Sequence, residues 1–318
     1  MDRRGFFKAA AGMMVATGLV DLRPRRAGAT APVKSTRVAY LTDAHLCAES
    51  INSNFAARLR RAVADINALE TPPDFVVFGG DLTQHGRADE LDLGASILGD
   101  LRVPLHMLPG EHDWYGDLGA SWQTRFGPAS YAFDHGGIHF VALNSVLAAD
   151  FWSARGMTPT ERVLTAGGLD NGVNVAFRLG DEQLAWLRED LAGHASTEPV
   201  VLLSHTALHD YYAPWGFAFE DEAPVDELLT PFDSVVVLHG HTHQPCVHNR
   251  GHVQSYGMPA TAWSWPYPPG IQPPDGASDG TQRSRGLCGN GVLTIDIVGC
   301  ADVALNLWDR GAVRLRAR

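Results

Sequence analysis

Five stretches of this chain place acidic or imidazole side chains just after an apolar run: Asp43 and His45; Asp81; Glu111, His112 and Asp113; His205; and His241 with His243. The last is the densest. A β-branched run, Ser234 to Leu238, leads into Gly240-His241-Thr242-His243. Two imidazoles two residues apart at the end of a strand can both turn towards one pocket, and the glycine before them permits close backbone approach. Singly, each feature has a bland explanation, because an Asp after a strand often caps a helix and a lone His is commonly a surface or core residue. Together they point elsewhere, since the carboxyl ends of strands in an open α/β sheet share one edge, where ligands bind. Imidazole and carboxylate donors without thiolate suit Zn, Mn or Fe, not structural cysteine-type zinc. Seven candidate ligands (Asp43, His45, Asp81, Glu111, His205, His241 and His243) exceed one tetrahedral ion. They suit two metals about 3.5–4 Å apart that share a carboxylate and clamp the attacking and leaving oxygens of a phosphoryl displacement.

The elements that must present these residues are legible in order. Thr36–Leu41, Phe75–Phe78 and Val103–Leu108 read as buried strands. Between them lie a helix with Phe55, Leu59, Ala62, Val63, Ile66 and Leu69 on one face, and a second helix over Asp89–Leu101. Continuous apolar strands alternating with helices predict an α/β fold with a mainly parallel, doubly covered sheet. Ser130–Phe133 and Ile138–Leu143 read as a hairpin, Asp181–Leu191 and Pro224–Leu229 as helices, and Val200–Leu203 as the strand before His205. His252–Tyr256, Val292–Val298 and Val303–Leu307 read as antiparallel strands. Residues 148–180, without clear period, and 260–285, rich in Pro and Gly, read as loop insertions in a single domain over 36–310, with 311–318 a basic tail.

Asp43-x-His45, Gly80-Asp81, Gly110-Glu111-His112-Asp113, Ser204-His205 and Gly240-His241-Thr242-His243 resemble, in order, the five motifs of the calcineurin-like metallophosphoesterases, with a cast closest to the cyclic-nucleotide phosphodiesterase branch. The resemblance implies a four-layer α/β/β/α sandwich of two mixed sheets with a dinuclear site at its edge. It implies that Asp43, His45, Asp81 and His243 hold one ion, and that Asp81, Glu111, His205 and His241 hold the other. Water activated between the ions would attack phosphorus in line. His112 would protonate or stabilise the leaving oxygen, and Asp113 would fix its ring. One position departs: the family usually has Asn where this chain has Glu111, so the site carries three carboxylates, which opposes an anionic substrate. The expected activity is phosphoester hydrolysis, with diesters slightly favoured over monoesters. The alternative is a non-catalytic metal- or ligand-binding module, against which His112 and Asp113 argue. Trp114, Tyr115 and Trp263 are candidates to line a substrate pocket.

The N-terminus has its own logic. Arg3 and Arg4 precede an apolar stretch from Ala9 to Val20, and Ala27-Gly28-Ala29 offers a cleavage site. Residues 1–29 resemble a bacterial twin-arginine signal, which implies the twin-arginine export machinery as a partner and a periplasmic or extracellular location. The apolar stretch is too short to span a bilayer, so no membrane insertion is expected after its removal. Without those residues 19 basic face 34 acidic side chains, a net charge of −15. That field repels polyanions, so nucleic acid is not an expected partner and a small phosphorylated molecule is. The cysteines, Cys47, Cys246, Cys288 and Cys300, are too few for a disulfide scaffold, although Cys288 and Cys300 could pair.

Overall fold

Strand β1 (Ser35–Leu41) shows why the apolar runs are continuous. Val38 and Tyr40 point to one side, into a core shared with Phe140, Val201, Leu203, Val236 and Leu238. Ala39 and Leu41 point to the other, against Leu59, Ile66 and Leu91. Both faces are covered, so alternation disappears. In this computed structural model, residues 35–146, 156–166, 177–218, 220–268, 288–296, 299, 301–308 and 311–315 are described. The proposed signal, residues 1–29, and residues 269–285 of the second insertion lie outside them.

The first sheet runs β12-β11-β10-β1-β2-β3. Here β2 is Phe75–Phe78, β3 Leu105–Met107, β10 Gly289–Asp296, β11 Ala301–Leu307 and β12 Gly311–Leu315. β1, β2 and β3 are parallel, and β10 to β12 form an antiparallel ribbon beside β1. The second sheet runs β4-β5-β6-β7-β9-β8. Its strands are β4 (Tyr131–His135), β5 (Ile138–Ala142), β6 (Val200–Leu203), β7 (Val235–His239), β8 (Cys246–Arg250) and β9 (Val253–Gly257). Helices α1 (Glu49–Asn67, with Asn52 non-helical) and α2 (Ala88–Leu98) pack on the first sheet. A short turn of helix, α3 (Glu111–Trp114), and α4 (Ala120–Phe126) follow β3. Helices α6 (Asp181–Leu191) and α7 (Glu222–Leu229) cover the second sheet through Leu187, Leu191, Val225 and Leu229. The result is the expected α/β/β/α sandwich of two mixed sheets.

Three expectations change. β9, expected to be antiparallel, is parallel to β7 and antiparallel only to β8, a strand whose mixed sequence Cys-Val-His-Asn-Arg hid it. The expected basic tail begins as β12, whose Arg314 pairs with Asp302 across the ribbon. The first insertion contains a helix, α5 (Pro159–Ala166). Its start was readable: Thr158 Oγ1 accepts the Glu161 N–H and Glu161 accepts the Thr158 N–H, a capping box followed by Pro at the first helical position. The second insertion is bound to the site at its start, where Thr261 and Ala262 donate N–H bonds to the Thr42 and Asp43 carbonyls. No helix among the described residues is long and apolar enough to cross a membrane.

Candidate metal centre and active site

All parallel strands of both sheets run towards the same edge, and the chain turns sharply as it leaves them. Six non-glycine residues among those described have positive φ, and five are Asp43, His45, Asp81, His241 and His243. Asp and His tolerate this region better than most side chains, yet each such turn still costs on the order of 1–3 kcal/mol. The strain aims the side chains back across the sheet edge. Gly110 completes the cradle, because a β-carbon there would overlap the Asp81 carboxylate.

The seven predicted ligands fall into two compartments, each with its ligand atoms within 4.8 Å of one another: Asp81, Glu111, His205 and His241, and Asp43, His45 and His243. All are buried. Asp81 joins the two. Its Oδ1 accepts the His112 N–H at 2.9 Å, which leaves Oδ2 3.3 Å from His205 Nε2 and 3.6 Å from His45 Nε2. In the first compartment Glu111 Oε2 lies 2.9 Å from His205 Nε2, and Oε1 lies 2.9 Å from His241 Nδ1. In the second, His243 Nε2 lies 3.2 Å from Asp43 Oδ1.

These atoms fit cations. A carbonyl oxygen can only accept, so His243 Nδ1 donates to Trp263 O at 2.8 Å, and His205 Nδ1 to Gly79 O at 2.8 Å. His45 Nδ1 likewise meets Gln84 Oε1 at 3.1 Å. The Nε2 lone pairs of His45 and His243 then face each other at 3.0 Å, which is repulsive unless a cation sits between them. Glu111 Oε2 and His205 Nε2, although 2.9 Å apart, are not aligned as a hydrogen bond, and His241 Nε2 is buried with no hydrogen-bond partner. Such orphans are costly in a protein interior and are expected where an ion is the missing partner.

Electrostatics agrees. Burial opposes ionisation of Glu111, but His241 and His205 outweigh it and hold the carboxyl well below its usual range. Burial and the neighbouring Glu111 raise Asp81 well above the carboxylate range. Burial, then His112 and His243, push His45 well below the imidazole range, towards the neutral ligand form. For His205 burial is outweighed by Asp81 and Glu111, which raise the ring well above its usual range. Protons and cations therefore compete for this donor set, and metal uptake releases protons.

His112 sits at the mouth, its ring 4.5 Å from that of His45. Its Nδ1 donates to the Gln84 carbonyl at 2.8 Å, so Nε2 is the atom available to a substrate. Burial lowers its pKa to about 4. Asp113 does not orient this ring. Its carboxylate accepts from the backbone of Leu82, Thr83 and Gly110 and from Thr83 Oγ1, tying the loops after β2 and β3 together. Gln84 does the work assigned to Asp113, through a backbone carbonyl that no side-chain motif could reveal.

Of the three candidate pocket-lining aromatics, Trp263 stands against two of the ligand histidines. Its ring lies 4.2 Å from His45 and 4.8 Å from His243. Trp114 is buried in the core, and Tyr115, 1 % exposed, packs its ring against His112. Phe177 and Phe217, which no motif singled out, stand edge-on to His241 at 4.8 and 4.4 Å. His209, four residues past His205, pairs with Asp226, while His239 is buried with Nδ1 on the Gly240 carbonyl. Cys47 and Cys246 are buried thiols, and Cys300 lies outside the described residues.

The family model of calcineurin-like phosphoesterases matches residues 36–245, from β1 through the last metal-facing histidine. The chain belongs to the calcineurin-like phosphoesterase family. It is a metal-dependent phosphoester hydrolase with phosphodiesterases among its relatives. It is 26 % identical over 223 residues to the glycerophosphodiester phosphodiesterase GpdQ of Enterobacter lignolyticus (strain SCF1), an alignment covering 64 % of this chain and 68 % of that protein. A probable cyclic nucleotide phosphodiesterase of Pseudoalteromonas sp. (strain SM9913) is 37 % identical over 83 residues, 24 % of this chain and 31 % of that one. In structure the chain resembles a dimetal phosphatase from Danio rerio, with a TM-score of 0.58, 15 % identity and coverage of 89 % and 99 % of the two chains. It also resembles purple acid phosphatase PPD1 of yellow lupin, with a TM-score of 0.58, 15 % identity and coverage of 88 % and 52 %. At that identity these two structures speak for the fold.

Proposed function

We propose that this protein is an exported phosphodiesterase with a dinuclear centre of Fe, Mn or Zn. Asp43, His45, Asp81 and His243 would hold one ion, and Asp81, Glu111, His205 and His241 the other. When bound, two such ions supply Lewis-acid stabilisation of phosphoryl charge and lower the pKa of the attacking water. His112 Nε2 faces the departing oxygen and carries the proton exchanged with it, while Nδ1 stays fixed on the Gln84 carbonyl. Trp263 walls the side of the site beside His45 and His243.

The observation that carries the diester reading is the donor set itself. Three carboxylates, Asp43, Asp81 and Glu111, share one buried site with four imidazoles. Their charge opposes a dianionic monoester more than a monoanionic diester. The named activities of two sequence relatives, on glycerophosphodiesters and cyclic nucleotides, support the same choice. The paired arginines and apolar stretch of residues 1–29 support export through the twin-arginine route, which accepts folded, metal-loaded protein.

Hydrolysis of bis(p-nitrophenyl) phosphate beside p-nitrophenyl phosphate, after reconstitution with Mn, Zn or Fe, tests the activity. The diester should turn over faster, and Glu111→Asn should narrow the gap by admitting the monoester. A monoester preference in the wild type overturns the diester reading. Silence in metal-loaded wild type with activity in Glu111→Asn would instead make the chain a binding module. For export, Arg3→Lys/Arg4→Lys should strand uncleaved precursor in the cytoplasm; unchanged fractionation rejects that route.

A further inference from the structure

Arg162 is an unusual residue to find buried. It sits on α5, inside the first insertion, and is 4 % exposed. Its Nε donates to the Tyr115 carbonyl at 2.8 Å and its Nη2 to the Gly116 carbonyl at 2.9 Å, and Nη1 donates to the Met157 carbonyl just before the helix cap. Burying a guanidinium costs several kcal/mol unless its donors are matched. Here three N–H groups are matched by backbone carbonyls, two of them in the turn that immediately follows Gly110-Glu111-His112-Asp113. A helix that served only to cover apolar surface would need no cation at this position.

The clamped turn reaches His112 from two sides. Tyr115, whose carbonyl Arg162 holds, places its ring 4.8 Å from the His112 ring. Gly116, the next residue held, packs so closely on Gly86 that a β-carbon would overlap the Gly86 carbonyl oxygen. Two residues before Gly86, the Gln84 carbonyl accepts the His112 Nδ1–H at 2.8 Å. His112 is thus held between a carbonyl and a phenol ring, and Arg162 fastens the segment that carries the ring.

We infer that Arg162 is a positioning residue for His112, acting through the Tyr115–Gly116 turn, and that this is a function of the inserted helix. The inference rests on the reading of His112 given above. It explains why a stretch without core periodicity still carries a capped helix with a buried cation.

The test uses the full chain reconstituted with Mn, comparing wild type, Arg162→Met, Arg162→Lys, His112→Ala and the His112→Ala/Arg162→Met double variant. Arg162→Met should lower kcat by roughly 10–100-fold, as loss of an orienting partner does. KM and bound Mn should stay near wild type, and Arg162→Lys should recover part of the rate. The loss should be greater for diesters with alkyl leaving groups than for bis(p-nitrophenyl) phosphate, because a good leaving group needs no proton. The double variant should be no slower than His112→Ala, since the positioning effect has nothing left to position. Independently of turnover, nitrogen-15 NMR should show loss of exchange protection at the His112 Nδ1–H in Arg162→Met. Multiplicative losses in the double variant, or a protected Nδ1–H in folded Arg162→Met, overturn the inference. Should His112→Ala itself leave kcat unchanged, the reading of His112 fails, and the NMR signal alone decides whether Arg162 holds the ring. If Arg162→Met does not fold, Arg162→Lys carries the same comparisons, because it keeps the charge but lacks the fork that spans two carbonyls.

Discussion

Two histidine–carboxylate clusters lie at opposite ends of the second sheet, and they differ in kind. At the carboxyl edge stand His205, His241 and Glu111; near the amino end of β5 stand Asp134, His139 and His194, whose ligand atoms also lie within 4.8 Å of one another. Proximity does not separate them. Satisfaction does. His139 has a carboxylate 2.8 Å from each ring nitrogen, Asp134 on Nδ1 and Asp190 on Nε2, and His194 Nδ1 meets Glu198 at 3.0 Å. At the other end Glu111 Oε2 and His205 Nε2 lie 2.9 Å apart without hydrogen-bond geometry, and His241 Nε2 is buried with no hydrogen-bond partner. Backbone strain separates the clusters as well, since five site residues have positive φ and Asp134, His139 and His194 do not. One cluster is an ion-pair network that has met its own needs; the other is built around partners from outside the chain.

That contrast can be broken in several ways. The largest effect should come from Asp81→Asn, which removes the carboxylate reaching both compartments: activity should fall by about 10³-fold or more, with loss of at least one metal equivalent by elemental analysis. Full metal content in that variant would mean that Asp81 does not join the compartments. His112→Ala should lower kcat by about 10²–10⁴-fold at unchanged metal content. By contrast, His139→Ala should leave activity and metal content alone yet cost about 1 kcal/mol of stability in chemical denaturation, because it removes the partner of the mostly buried Asp190 while the exposed Asp134 stays solvated. A drop in bound metal would place an ion at the amino end and erase the distinction.

The smallest effect concerns His106 on β3, a third kind of histidine. It stacks on Phe133 with ring centroids 3.8 Å apart, and burial, then the nearby His135, lowers its pKa to about 4. The unfolded chain, with a histidine pKa of about 6.5, binds this proton first. Stability held by the neutral ring is therefore complete above pH ~6.5 and is lost as pH falls towards about 4. After allowance for partial exposure this is on the order of 1 kcal/mol at pH 5. His106→Phe should flatten that part of the pH–stability curve; an unchanged slope would show that other groups cause it.

Much of the molecule was legible because the signals were local. The central strands β6 and β7 of the second sheet are continuous aliphatic runs, and α6 opens with acids and a regular leucine face. Elements that failed were those whose sequence is set by one-sided or edge environments. β8 exposes Asn249 and Arg250, and β12 carries a basic residue on an edge, so neither has a core strand's composition. α5 was missed because its short length hides any period, although its capping box was in view. The burial of Trp114 and Tyr115 was not legible for a related reason: aromatic residues beside a catalytic motif can face the pocket or the core, and spacing alone does not choose.

The residue types and their order determined what this protein could hold and where along each strand it would be held. Ligand chemistry is a property of the side chain, and strand ends are marked by the apolar runs before them. Tertiary structure decided which groups meet. His45 and His243 face each other across 198 residues of sequence. Gln84, not Asp113, holds His112, and Arg162 fastens the turn beyond it. Those contacts depend on backbone carbonyls and on the packing of distant segments, which residue identity does not encode. The same physics separates the two histidine clusters, because whether a buried nitrogen has a partner is settled only once the chain has closed around it.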